Sequence, residues 1–165
     1  MKRITTQNWL EPDKTGPVAG MDSRAWRDTF LSIRLERNVP EDVAALYETA
    51  RASVIYGLFY APLVTLGVEH CYRVLEAGLR ARCVQLGLPV SVQDRQGGNH
   101  ALSFSYNLRQ LEEQGLVSTE DALLWKQAGE LKAWLALPGH GDAVARDHAL
   151  TALTRVATLL NALFA

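Results

Sequence analysis

Four charged side chains, Glu69, Arg73, Glu76 and Arg80, recur at intervals of four, three and four in an otherwise apolar stretch. On a helix that spacing puts all four on one face with alternating signs, so neighbours can pair. Charge on a largely buried helix is costly unless it is paired. The stripe therefore reads as a structural ion-pair ladder at the edge of a bundle. A sharper reading makes it the polar lining of a pocket or of a seam between two copies. His70 sits beside the stripe and reads as a hydrogen-bonded core or interface residue. His148, between Asp147 and Ala149 near the last apolar seam, reads as surface. A second basic group, Arg24, Arg27, Arg34 and Arg37, could touch phosphate, but such a cluster is first of all a solvated face.

The chain has 165 residues and a formal net charge of -1. That length supports one domain with a real core. The near-neutral balance removes any overall electrostatic case for nucleic acid or an anionic membrane surface. Cys71 and Cys83 are twelve residues apart in one helical stretch. That is about 18 Å along a helix axis, too far for a disulfide between them. They read as small buried residues of a reduced, cytoplasmic protein. No Cys/His spacing suggests zinc or another metal, and no motif calls for a cofactor. The first residues carry no apolar run of the kind a signal peptide needs. The longest nearly apolar run, residues 58–68, is too short to cross a bilayer.

These side chains need elements to hold them. Residues 61–87 predict a central helix, apolar around most of its circumference, with Pro62 in its first turn and Gly87 at its end. Before it, Pro40, Glu41 and Asp42 open a helix whose inward side is Val43, Leu46, Tyr47, Ala50, Val54 and Leu58. The connection between the two is short, which makes them antiparallel neighbours. Asp22 caps a short amphipathic helix carrying Trp26, Phe30 and Ile33. Residues 1–21 read as an arm with Trp9 packing onto the body. After Gly87 comes a glycine-rich loop, expected to be mobile, then a helix over about 102–114 ended by Gly115. Ser118 caps the next helix, with Leu124, Trp125, Ala128, Leu131 and Leu135 inward. Asp142 is expected to cap the last, whose seam is Leu150, Leu153, Ala157, Leu160 and Phe164. No segment reads as a strand. The fold class is all-α: an arm and short helix over 1–38, then an antiparallel bundle over 39–165.

The order of several pieces resembles the HEPN domain family. Ala50 and Arg51, then Gly57 before the aromatic pair Phe59 and Tyr60, then Glu76 and Leu79, resemble its first two helices. His100, Ala101 and Leu102 resemble the start of its third helix. Leu131 through His140, Gly141 and Asp142 resemble the approach to its last. The resemblance spans roughly residues 40–164. It implies an antiparallel HEPN-like bundle, a homodimer, and in many members a metal-independent ribonuclease. The family's motif is an arginine, four to six residues, then a histidine. The histidine moves a proton at the ribose or leaving oxygen, and the arginine stabilises charge at phosphorus. Here His140 matches the histidine, but Ala133, Trp134 and Leu135 stand where the arginine belongs, and Lys132 is one residue too far upstream. Arg95 and His100 match the spacing literally, inside the glycine-rich loop. With 13 arginines and 4 histidines such a match arises readily by chance.

Three functions follow. The first is a non-catalytic HEPN-like module that dimerises and binds a partner, RNA or protein, in a defence or toxin–antitoxin setting. The second is a metal-independent RNase using a displaced arginine such as Arg95. The third is an unrelated helical-bundle subunit of a larger assembly. Trp9, Trp26 and Trp134 are the aromatic side chains that another chain could cover, if each does not pack into its own core.

Overall fold

The computed structural model describes residues 2–14, 18–135 and 146–165, the stretch 129–135 by its backbone. Among them run six helices: α1 (Ser23–Leu31), α2 (Glu41–Tyr56), α3 (Pro62–Gln85), α4 (Phe104–Glu113), α5 (Thr119–Leu135) and α6 (Arg146–Leu163). A two-stranded antiparallel hairpin, β1 (Ser91–Gln93) and β2 (Asn99–Ala101), lies between α3 and α4. The molecule is mostly helical, as the periodicity predicts, but the hairpin corrects the expectation of no strand.

The helix starts follow local chemistry. Asp22 accepts the Ala25 amide at 2.7 Å and caps α1. Ser103 does the same for α4 through Tyr106, and Ser118 for α5 through Asp121. Pro62 lies in the first turn of α3, where no amide donor is needed. Gly87 follows α3 at φ 69°, in the left-handed region. The Leu88 amide then reaches back to the Cys83 carbonyl at 2.9 Å. The Asp142 cap lies outside the described residues.

Helix α3 is central, packed by α2, α4, α5 and α6, and most extensively by α2. Val64, Val68, Cys71, Val74, Leu75, Leu79 and Cys83 carry its buried side, against Val43, Tyr47, Ala50 and Val54 of α2. From α6, Leu153, Ala157 and Leu160 complete the core, as the apolar seam predicts. Two glycines allow the backbones to approach. A Cβ at Gly67 would lie 2.7 Å from the Ala50 carbonyl oxygen and 3.1 Å from the Val54 amide nitrogen. A Cβ at Gly78 would lie 2.3 Å from Leu160 Cδ2.

The N-terminal segment serves the α2–α3 corner. The Asp13 amide donates to Leu58 O at 2.7 Å, and Asp13 Oδ2 accepts the Ala61 amide at 3.2 Å. Lys2 Nζ donates to Phe59 O at 3.1 Å. Trp26 Nε1 donates to the Val54 and Ile55 carbonyls at 3.2 and 3.0 Å. The Leu58 and Phe59 carbonyls and the Ala61 amide are groups of the kind that helix ends leave without intrahelical partners, and Trp26 adds a second donor to carbonyls that already accept the Gly57 and Leu58 amides. Trp26 is buried, so it is core rather than surface. Trp9 is 58% exposed, against the expectation that it packs. No helix among the described residues is long and apolar enough to cross a membrane.

Gly67→Ala puts a methyl against backbone that cannot rotate aside. Overpacking of this kind costs about 2 kcal/mol. The melting temperature, followed by circular dichroism, is expected to fall by roughly 6 °C. An unchanged melting temperature would mean the two helices do not approach as described.

Candidate functional site

The glycine-rich loop is ordered by one carboxylate. Val92 pairs with His100 across the hairpin, and Gln93 with Asn99. At the turn, Asp94 Oδ1 accepts the Gln96 and Gly98 amides, both at 2.8 Å. Its Oδ2 meets His100 Nε2 at 2.7 Å. Gly97 has φ 81°, and a Cβ on Gly98 would sit 2.6 Å from Asp94 Oδ2. Both glycines are thus required by the geometry. The expected mobile loop is a hydrogen-bonded turn. Asp94 was the residue to notice, because an aspartate before two glycines forms such turns readily.

This pairing redirects the Arg95 and His100 candidates. His100 is held by Asp94, not by Arg95, and its side chain is 64% exposed. Arg95 is exposed and has no hydrogen bond or ion pair among the described residues. The Asp94 carboxyl is held below its usual range, first by His100 and then by the Gly98 and Gln96 amides. The pair orients an imidazole and can pass a proton at it. A second donor for developing negative charge is not beside it.

The α3 stripe is solvated rather than buried. Glu69 and Arg73 are exposed, while Glu76 and Arg80 are partly covered. Among the described residues its one ion pair is Arg80 with Glu76, at a loose 3.8 Å. The expected ladder is therefore incomplete, because water solvates Glu69 and Arg73 and leaves little to be gained from pairing. Leu66 and Val84, at the two ends of the same face, are 53% and 58% exposed. The helix is not apolar all round; one arc is open. His70, on the edge of that arc, is half-buried, and its Nε2 is shut from water without a hydrogen-bond partner. Burial, then the charge of Arg73, lowers its pKa, so the ring is neutral near pH 7. The hydrogen bond expected of it is not made at that nitrogen.

His140 lies outside the described residues, as do the side chains of Lys132, Ala133, Trp134 and Leu135. Cys71 and Cys83 are both free and buried. Burial pushes the Cys71 thiol up to about 12 and raises that of Cys83, so neither is a ready nucleophile. Among the described residues no three His, Cys, Asp or Glu side chains gather as metal ligands.

Two hollows remain. One, of about 480 Å³, lies between the end of α1 and the face of α2, and includes Arg34, Arg37 and Arg51 with Glu36 and Glu48. Arg51 is already engaged: Nη1 donates to Ile33 O at 3.0 Å and Nε to Glu48 Oε2 at 3.1 Å. It ties α2 to the chain after α1. Arg34 Nε donates to Leu31 O at 3.4 Å, and Arg37 is exposed, with Glu36 offsetting their charge. The solvated face expected of these arginines holds for Arg34 and Arg37, and Arg51 joins them from α2. The other hollow, of about 380 Å³, runs between α5 and α6 past Leu124, Leu150, Thr154 and Leu159. Neither is lined by a hairpin residue or by the stripe.

Comparison with protein-family models, with curated proteins and with solved structures finds no match. The likeness to HEPN domains rests on the residues quoted above.

The Asp94–His100 pair can be read directly. In an NMR pH titration the Asp94 carboxyl should titrate below the usual carboxylate range. His100→Ala should move it up toward that range, with the two amides holding back part of the change. Its folded value is depressed, so its support of the turn is complete above the ordinary carboxylate value, about 3.9, and is lost as pH falls through the lower folded value. An unshifted wild-type titration would mean the pair does not form.

Proposed function

We propose that this chain is a non-catalytic, HEPN-like helical module that acts by association: it forms a homodimer and binds a partner, in a defence or toxin–antitoxin setting. The observation that carries this reading is the state of the one literal Arg–His match. His100 is exposed and bound by Asp94, and Arg95 is exposed with no hydrogen bond or ion pair among the described residues. At the other candidate, alanine, tryptophan and leucine occupy the positions where the family's arginine would stand before His140. Two further observations support it. The close antiparallel pair α2–α3 is what a HEPN-like hairpin requires. The open arc of α3 combines charges of both signs with exposed leucine and valine, a composition suited to contact with another chain. A net charge of -1 favours a protein partner over RNA.

The competing reading, a metal-independent RNase, is favoured by one feature: a histidine held by a carboxylate in the same hairpin as an exposed arginine, in Asp94, His100 and Arg95. Purified protein incubated with labelled single-stranded and structured RNA, with and without EDTA, separates the two. Wild type, His100→Ala and His140→Ala are expected to be alike, with no cleavage above buffer. EDTA-resistant cleavage that disappears in either variant would overturn the non-catalytic reading.

A further inference from the structure

The charged stripe of α3 has a property that a random ladder lacks. Glu69 and Arg80 share a midpoint between Val74 and Leu75, and so do Arg73 and Glu76. Opposite signs stand at equal distances on either side of that point. A helix of this kind laid antiparallel on its own copy, with a two-fold axis at the midpoint, meets itself with opposite charge at every position. Glu69 of one copy faces Arg80 of the other, and Arg73 faces Glu76, each contact occurring twice. The exposed apolar residues follow it to within half a residue. Leu66 and Val84 are centred on Leu75, so each copy's Leu66 falls beside the other's Val84, about 1.5 Å off register along the axis. At 100° per residue, Leu66, Glu69, Arg73, Glu76, Arg80 and Val84 fall within roughly 80° of arc.

The same face is left open by the fold. Gly67 and Gly78, on the opposite side of α3, are pressed against α2 and α6. Tyr72 stacks on Phe104 of α4 at 5.3 Å. Among the described residues Leu66, Glu69, Arg73 and Val84 on this arc are exposed, Glu76 and Arg80 are partly covered, and Glu69 and Arg73 are without ion-pair partners. In a monomer these charges gain little from one another. In the antiparallel pair every one of them gains an opposite neighbour.

We infer that a second copy of this chain docks on this face, α3 against α3 antiparallel, about a two-fold axis at Val74 and Leu75. This gives a location and a register to the dimer in the reading above and rests on that reading only for the existence of a dimer. The seam is one helix wide, at the small end of specific interfaces, so the pairing is expected to be reversible and concentration-dependent.

Sedimentation velocity at a series of concentrations up to about 200 µM tests it, with circular dichroism on each variant. Wild type is expected to reach dimer. Arg73→Glu places two glutamates face to face twice, and Glu76→Arg does the same with arginines. Each variant alone is expected to stay monomeric where wild type is dimeric. An equimolar mixture of the two restores opposite charge at both contacts and is expected to dimerise again. Glu69→Lys, on a fully solvated position that has little effect on folding, gives the same loss through the outer pair. Variants that dimerise like wild type, or a mixture that stays monomeric, would overturn this seam while leaving a dimer through another face. A wild type that is monomeric throughout would overturn both the seam and the dimeric reading.

Discussion

The backbone of α3 rests on the backbone of α2 at Gly67, with no room for a single added methyl. Much of the structure follows from that contact. It fixes the register in which Val54 and Ala50 meet Val64 and Val68, and so the direction of the whole hairpin. It also sets which side of α3 is shut. Leu160 of α6 closes over Gly78 on nearly the same side, and Tyr72, Phe104 and Trp125 form an aromatic chain on another. What remains is the arc from Leu66 to Val84, and that is where the charges stand. The position of the stripe is thus a consequence of the glycines.

The corner of the same hairpin explains the first forty residues. A turn of five residues between two long helices leaves carbonyls and an amide without partners. Asp13 and Lys2 supply them, and the Trp26 indole adds a donor to the Val54 and Ile55 carbonyls in the last turn of α2. The N-terminal segment and α1 are therefore tied to the hairpin they precede, and the Arg51 contact to Ile33 adds a second tie lower on α2.

Helix starts were legible because capping is local: Asp22, Ser118 and Pro62 each act on a neighbour three residues away or less. The inward sides of α2 and α6 were legible because a 3.6-residue period repeats over four or more turns. Three things were not. The strands are three residues each, too short for an alternating pattern, and only the Asp94 turn betrays them. The open arc of α3 was hidden by Leu66 and Val84, whose apolar character suggested burial on all sides. Trp26 could not be assigned to core or surface, since its role depends on carbonyls 28 and 29 residues away. Gly67 and Gly78 did carry a signal. Glycine inside a helix is unfavourable unless something must come close, and here two backbones and a leucine do.

The candidate chemistry shrinks as the geometry is added. His100 belongs to its turn, Cys71 and Cys83 are buried thiols, and Arg51 is a tie between segments. The surface of α3 is what stays available, and it is suited to a copy of itself. A nitroxide label on Gln85→Cys, exposed and off the seam, tests this most directly, because the two native thiols are buried and leave the new one reactive. In the antiparallel pair centred at Val74 and Leu75, label-to-label distance measured by pulsed electron resonance should be roughly 30 Å. A distance below about 20 Å, as parallel helices would give, or no dipolar coupling at concentrations up to 200 µM, would contradict it.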